Sequence, residues 1–355
     1  MADKNIQLLI TGGMPDYLIE NILTDGYDMK HIENPTDQEL AAAEVIVGFP
    51  PVPRLASAAN LKWLQIPWSG ADGYADHPDF PAHVILTNAT GAFGRPIAEY
   101  AFAAVFALMR RFHQYRDVQK ELKWERQGDE MSPTGKKVLI LGAGDIGTNA
   151  ARLFKMMDCH ITGVRRVVRD IPKEFDAMIT LEQVDDVLPE ADIVIGCMPH
   201  TPLTQGFMNR ARLESMKETA IFVNVGRGTL VDHDALADVL NAGKIYGAAL
   251  DVTCPEPLPQ DHSLWKCRNV IITPHVSGQT FAGHGCRIHH NVQNELIAQG
   301  HVSTRNGNEF AVLRGCRRND ADQHHNCQQA SKKLVGQRFH NVFPSLPFFW
   351  GQRYP

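Results

Sequence analysis

An α/β fold of two doubly wound parallel-sheet domains is what this sequence predicts, on three observations. Short apolar runs of strand length alternate with helical patterns along most of the chain, the order that produces a parallel sheet covered on both faces. The alternation starts afresh after one long Ala-rich helix, which gives two sheets rather than one. A chain of 355 residues also exceeds one ordinary core and suits two domains.

The first domain opens with Ile6–Ile10, a buried strand closed by Thr11-Gly12-Gly13. Val45–Gly48, Leu61–Ile66 and Val84–Leu86 are further apolar runs, with a helical pattern at Asp16–Leu23 between them. Ile97–Arg111 then reads as a long helix whose polar character rises only at Arg110 and Arg111. Such a helix is expected to be packed between other elements, and it is read as the connector between domains. Beyond the loop near Gly128 and Pro133 a second series of strands follows. It comprises Lys137–Leu141, Cys159–Val164, Ile193–Cys197, Ala220–Val225, Ile245–Asp251 and Val270–Thr273. From about Gly285 the chain is crowded with His, Asn, Gln, Arg and Cys, and only His290–Gln299 keeps a helical pattern. The expected limits are therefore 1–96, 97–283, and an atypical tail at 284–355 that is disordered or returns in part to the first domain.

Composition excludes several classes. An apolar share of 44% and a charged share of 21% are those of a globular protein, neither disordered nor membrane-embedded. A net charge of −5 argues against non-specific nucleic-acid binding, which needs a basic surface. The most apolar stretch, Ile97–Met109, is too short to span a bilayer and contains Glu99. The polar opening Met1-Ala2-Asp3-Lys4-Asn5 does not read as a secretory leader. Seven cysteines without framework spacing read as reduced thiols, which points to the cytoplasm.

The first motif is Gly142-Ala143-Gly144-Asp145-Ile146-Gly147, set directly after the strand Val138–Leu141 and opening a helix over Asn149–Met157. The first glycine allows the tight turn, the second lets the backbone approach a pyrophosphate, and the third lets helix and strand pack closely. Free N–H groups and the positive dipole end at the helix N-terminus then favour phosphate. A dinucleotide site usually carries an acid about twenty residues on, at the end of the second strand. Here that strand ends in Arg165-Arg166. Guanidinium groups pair with a 2′-phosphate where a carboxylate would repel it, so NADP(H) is favoured, with NAD(H) possible.

Three further segments lie just beyond strands of the same predicted sheet. They are Asn224-Val225-Gly226-Arg227-Gly228, Asp251–Pro257 with Glu256, and Thr273-Pro274-His275. Ligands of open α/β sheets bind at that edge. Taken singly, Arg227 reads as a surface charge, Glu256 as a loop acid and His275 as a core histidine; their convergence on one crevice reads differently. Arg227 can bind the carboxylate of a 2-keto acid and polarise its carbonyl. His275 can supply the proton that a developing alkoxide needs. Glu256, hydrogen-bonded to His275, would orient the ring and favour its imidazolium.

With these residues in place the chain resembles the D-isomer-specific 2-hydroxyacid dehydrogenase family over roughly Ile6–Gly278. The resemblance rests on Ala98-Glu99, the Gly142–Gly147 turn, Cys197–Thr204, Asn224–Gly228, Asp251–Pro257 and Pro274-His275, in the family's order. It implies a flavodoxin-like substrate domain and a Rossmann NAD(P)-binding domain. It implies that Arg227 binds substrate and that His275, held by Glu256, is the acid/base. It further implies cofactor contacts from Asp145, Ile146, Arg165, Met198, Pro199, Thr204, Val225, Gly226 and Asp251, the last near the nicotinamide. The loop Trp68–Gly73, with Ser69, Gly70, Ala71 and Asp72, is similar to the family loop whose amides hold the substrate carboxylate. A homodimer is implied, and the Arg165 change is similar to that of NADPH-dependent glyoxylate or hydroxypyruvate reductases.

The tail departs from the family pattern, so a catalytically impaired member is one alternative. A dinucleotide-sensing co-repressor-like binding protein is another, disfavoured because a pure sensor has less need of an acid/base pair. Formate dehydrogenase-like chemistry is disfavoured by Glu256, since that relative carries Gln there. Phosphoglycerate dehydrogenase remains open, without an evident regulatory domain. His289-His290 and His324-His325-Asn326-Cys327 match no structural zinc spacing, so no metal is expected.

Overall fold

The computed structural model describes residues 6–12, 19, 27–75, 77–279 and 302–303. The chain divides into two compact units, with the division falling between Ala92 and Phe93.

The first unit holds one sheet, built from β1 (Ile6–Ile10), β2 (Tyr27–His31), β3 (Val45–Val47), β4 (Trp63–Gln65) and β5 (Ile85–Thr87), joined by β13 (Val302–Ser303). Its order is β13-β5-β4-β3-β1-β2. Strands β1 to β5 are parallel, and β13 runs antiparallel to β5. Without β13 this is the flavodoxin-like order, whose direction reverses between β1 and β3. Alternate residues fill opposite faces: Leu9, Ile46, Leu64 and Leu86 pack in one cluster, Leu8, Ile10, Val45, Val47 and Trp63 in another. The short helix α1 (Asp37–Ala42) opens with a capping box in which the Thr36 N–H donates to Glu39 Oε2 at 2.6 Å.

The second unit runs Phe93–Phe281. Strands β6 (Lys137–Leu141), β7 (His160–Val164), β8 (Ala177–Ile179), β9 (Ile193–Gly196), β10 (Ile221–Asn224), β11 (Gly247–Leu250) and β12 (Val270–Ile272) form a sheet ordered β12-β11-β10-β9-β6-β7-β8. All neighbours are parallel. Renumbered from β6 this is 3-2-1-4-5-6 with one added strand, the Rossmann order, and its switch point lies between β6 and β9. Leu139, Leu141, Val194, Phe222 and Leu250 fall in one core cluster, and Val138, Ile140, Ile195, Val223 and Ala249 in the other. The period of two therefore buries both faces, as an all-parallel sheet requires.

The long helix α2 (Gly94–Met109) is an integral part of this second unit. Its Ile97, Ala98, Ala101, Ala104, Val105 and Leu108 are buried, and it packs on α4 (Asp145–Lys155), β10 and β11. Small residues at Ala98, Ala101, Ala150 and Ala151 let the two helices approach closely. The expected limit at residue 96 thus falls inside its first turn, and the helix ends before the expected Arg111. Arg111 takes a left-handed φ of 54°, which breaks the helix and starts α3 (Phe112–Lys120). Helix α4 likewise begins at Asp145, earlier than the expected Asn149, because the glycine turn feeds straight into it. Shorter helices are α5 (Val184–Val187), α6 (Arg210–Ser215) and α7 (His233–Asn241).

No helix among the described residues is long and apolar enough to cross a membrane. The expected helix Asp16–Leu23 lies outside the described residues except for Ile19, which is buried. The expected helix His290–Gln299, and the tail residues His289, His290, His324, His325 and Cys327, lie outside them altogether.

Candidate active site

The Gly142–Gly147 turn sits at the switch point of the second sheet. Gly142 has φ +110°, and a Cβ there would stand 2.9 Å from the Cys197 carbonyl oxygen, so the turn and the close approach of two strand ends both need glycine. A Cβ on Gly144 would meet nothing within 4 Å, which leaves the backbone open on that side. A Cβ on Gly147 would overlap the Gly142 carbonyl oxygen. The N-terminus of α4, capped at Gly144 without a side-chain acceptor, presents its first N–H groups beside that opening. The arrangement fits a dinucleotide pyrophosphate. The Asp145 carboxylate is turned toward Gly94, where a Cβ would overlap it, so Asp145 and Ile146 offer the opening their backbone N–H groups.

The three strand-end loops meet one another. After β10, the fully buried Asn224 holds its own loop: its Nδ2 donates to Arg227 O at 2.9 Å, and its Oδ1 accepts from Gly226 N at 3.2 Å. Val225 is buried, and a Cβ on Gly226 would stand 2.7 Å from Met198 O. A Cβ on Gly228 would overlap the Thr253 carbonyl oxygen, so the Arg227 loop is pressed against the loop that follows β11. In that second loop Glu256 Oε1 accepts the Thr253 N–H at 3.0 Å. Its Oε2 lies 3.0 Å from His275 Nδ1, and both side chains are about half exposed. Arg227, Glu256 and His275 are therefore brought to one edge. With Nδ1 engaged by the carboxylate, Nε2 is the ring nitrogen left for proton exchange.

The remaining expected residues fall as follows. Arg165, just beyond β7, is largely buried and reaches back to the glycine turn, its Nε donating to Ala143 O at 3.0 Å. Arg166 is exposed. Met198 is buried, Pro199 is exposed, and the Thr204 hydroxyl is used within its own loop, donating to Pro199 O at 2.6 Å. Asp251 is completely buried: Oδ1 accepts from Thr273 Oγ1 and Val276 N, and Oδ2 from Ser277 N. Its carboxylate therefore offers the crevice no open face, unlike the expected contact beside the nicotinamide. In the first unit, Ser69, Gly70, Ala71 and Asp72 follow β4, with Ser69 O accepting from Asn88 Nδ2 at 2.8 Å and Ala71 O accepting from Tyr74 and Ala75 N–H. Asn224 and Thr253 fall within the strand-end segments, but the sequence pattern gives neither its hydrogen-bonding role, nor does it show the Tyr100–Thr273 hydrogen bond. The tilted aromatic pair Phe49–Trp68 at the carboxyl edge of the first sheet was also missed, although two aromatics just past apolar strands were a visible signal.

Residues 102–277 match the family model described as D-isomer specific 2-hydroxyacid dehydrogenase, NAD binding domain. Glyoxylate/hydroxypyruvate reductase A of Photorhabdus laumondii is 30% identical over 66% of this chain and 76% of its own length. Among solved structures, a D-isomer specific 2-hydroxyacid dehydrogenase family protein from Aeromonas salmonicida has a TM-score of 0.72 at 30% identity, covering 82% of this chain and 95% of that one. An NADPH-dependent glyoxylate/hydroxypyruvate reductase from Sinorhizobium meliloti, in complex with NADP and sulfate, shares the fold at 22% identity, with a TM-score of 0.69 over 83% of this chain and 92% of that one.

Proposed function

Because the chain belongs to the D-isomer specific 2-hydroxyacid dehydrogenase family, we propose that it reduces a small 2-keto acid to the D-2-hydroxy acid, using NADP(H) in preference to NAD(H). The observation that carries this reading is the His275–Glu256 pair, held against the loop of Arg227 on the same sheet edge as the glycine turn.

In this reading the Gly142–Gly147 turn and the α4 N–H groups hold the pyrophosphate. Arg165 and Arg166 take the adenosine end, Arg165 being braced on Ala143 beside the turn. Met198, Pro199, Thr204, Val225 and Gly226 form the walls along the ring system. A nicotinamide held there would supply the hydride. Arg227 binds the keto acid and draws electron density onto its carbonyl oxygen. The oxygen left by reduction would take its proton from His275 Nε2, the imidazolium becoming imidazole. Glu256 keeps Nδ1 protonated and the ring oriented throughout. Asp251 enters through the loop it holds rather than by direct contact. Assembly as a homodimer belongs to the same reading, since Leu122 and Trp124 are exposed apolar surface that a second copy would cover.

The test is oxidation of NADPH and of NADH by the full chain against glyoxylate, hydroxypyruvate, pyruvate and bulkier 2-keto acids. Turnover is expected with NADPH and is expected to be fastest for glyoxylate or hydroxypyruvate, the substrates named in the relatives. Tight NADPH binding without turnover of any keto acid would overturn the enzyme reading in favour of a dinucleotide sensor.

A further inference from the structure

We propose that Tyr100, on helix α2, is a positioning residue for His275 and acts through a hydrogen-bond relay of Thr273 and Asp251. The proposal rests on the reading of His275 as the acid/base and deepens it.

Beside the Glu256 contact to the ring, the backbone of the His275 loop is held mainly by one aspartate. Asp251 O accepts the His275 N–H at 2.8 Å. Its carboxylate accepts the next two N–H groups, Val276 N at 2.8 Å and Ser277 N at 2.9 Å. His275 itself sits at φ 53°, a left-handed conformation uncommon for a side-chain-bearing residue. Asp251 is therefore the clamp.

The clamp has a second end. Thr273 Oγ1 lies 2.6 Å from Asp251 Oδ1, and Tyr100 Oη lies 2.6 Å from Thr273 Oγ1. Proton counting sets the direction of both bonds. A carboxylate only accepts, so the single Thr273 hydroxyl proton goes to Asp251, and the Tyr100 hydroxyl must donate to Thr273. Burial holds the Tyr100 hydroxyl above its ordinary pKa, which keeps that proton in place. Thr273 thus cannot rotate away without losing both partners. Tyr100 locks the rotamer that completes the Asp251 shell, and the shell fixes the loop from which His275 projects.

Tyr100 packs from α2, whose buried face is anchored on β10 and β11. The relay therefore refers the position of His275 to the interior of its own unit rather than to an exposed loop. Loss of the outer donor removes the hydrogen bond that Thr273 Oγ1 accepts, leaves only its bond to Asp251 and lets the clamp shift, and small displacements of an acid/base are costly to turnover.

The experiment measures kcat, KM and NADPH Kd on the full chain for Tyr100→Phe, Thr273→Val, Thr273→Ser, the Tyr100→Phe/Thr273→Val double variant, and His275→Ala. Tyr100→Phe and Thr273→Val are expected to lower kcat about tenfold. Thr273→Ser, which keeps the hydroxyl, is expected to stay within about twofold of the parent, as is NADPH Kd in every variant. The double variant is expected to be no slower than Thr273→Val alone, because Tyr100 acts only through Thr273. Parental kcat in Tyr100→Phe overturns the relay, and so do multiplying losses in the double variant or NADPH affinity lost in step with kcat. Should Thr273→Val fail to fold, Tyr100→Phe set against Thr273→Ser decides the matter. Parental kcat in His275→Ala, or a parent chain without turnover, removes the underlying reading. A crippled His275→Ala beside an unaffected Tyr100→Phe removes the relay alone.

Discussion

Nδ1 of His275 lies 3.0 Å from Oε2 of Glu256, and the other oxygen of that carboxylate takes the Thr253 N–H at the same distance. One side chain thereby ties the loop after β11 to the loop after β12. Glu256→Gln keeps an oxygen for Thr253 but replaces the charge that faces the ring. Turnover is expected to fall about 100-fold, with the melting temperature and NADPH affinity unchanged. Steady-state kinetics beside a thermal melt check this, and full activity in the variant would reduce Glu256 to a brace for its loop.

The glycines divide into those that serve packing and one that serves access. A Cβ at Gly147 or Gly228 would overlap a carbonyl oxygen, of Gly142 and Thr253 respectively. Gly147→Ala and Gly228→Ala are each expected to cost about 1–3 kcal/mol, read as lowered denaturation midpoints. At Gly144 a Cβ meets nothing within 4 Å. Gly144→Ala is therefore expected to melt close to the parent while binding NADPH about tenfold more weakly. Unchanged NADPH affinity in Gly144→Ala would place the pyrophosphate elsewhere.

Arg165 is braced on Ala143 O at 3.0 Å, and its side chain is only 9% exposed. If its guanidinium receives a 2′-phosphate, Arg165→Ser should weaken NADPH about tenfold and NADH by no more than about twofold. Fluorescence titration of both dinucleotides at fixed ionic strength distinguishes the cases. Equal weakening of the two would mean that the arginine supports the turn and reads no phosphate.

Asp192 sits where β6, β9 and β10 begin, accepting the Lys137 N–H at 2.9 Å and pairing with Lys217 at 3.0 Å. Burial pushes its carboxyl up, but the Lys137 N–H and the Lys217 ammonium outweigh that and hold it below the ordinary value. A carboxyl whose folded pKa lies below its unfolded one stabilises the protein above the unfolded value, and that stabilisation is lost as pH falls through the folded value. Asp192→Asn is therefore expected to lose about 1–2 kcal/mol at neutral pH. The gap should narrow below about pH 4, the unfolded value for aspartate. Thermal melts of both proteins across the acid range check this; a gap independent of pH would contradict it.

Much of the second unit was legible because buried parallel strands are continuous apolar runs. Val138–Leu141 and Ile193–Gly196 announce themselves without any partner. The strands that escaped notice are those at sheet edges. Tyr27–His31 mixes exposed Asp28, Lys30 and His31 with half-buried residues, and Ala177–Ile179 is only three residues long. Helix Asp37–Ala42 is marked in the sequence only by the capping-box spacing of Thr36 and Glu39. Arg227, Glu256 and His275 could be picked out because each lies a few residues past a strand, and a parallel sheet sends all such ends to one edge.

Which side chains touch at that edge was a different matter. Tyr100 and Thr273 are 173 residues apart, and no motif pairs them. Asp251 could be placed beyond β11, but not the inward turn of its carboxylate, which spends both oxygens on Thr273, Val276 and Ser277. The amino-acid order alone determined the two sheets, the glycine turn and the edge on which a guanidinium, a carboxylate and an imidazole gather, because periodicity and spacing are local properties of the chain. Only the packing of α2 against β10 and β11 decided how the His275 loop is held. Hydrogen bonds between distant residues exist once burial has removed water as their competing partner, and that burial is a property of the folded chain as a whole.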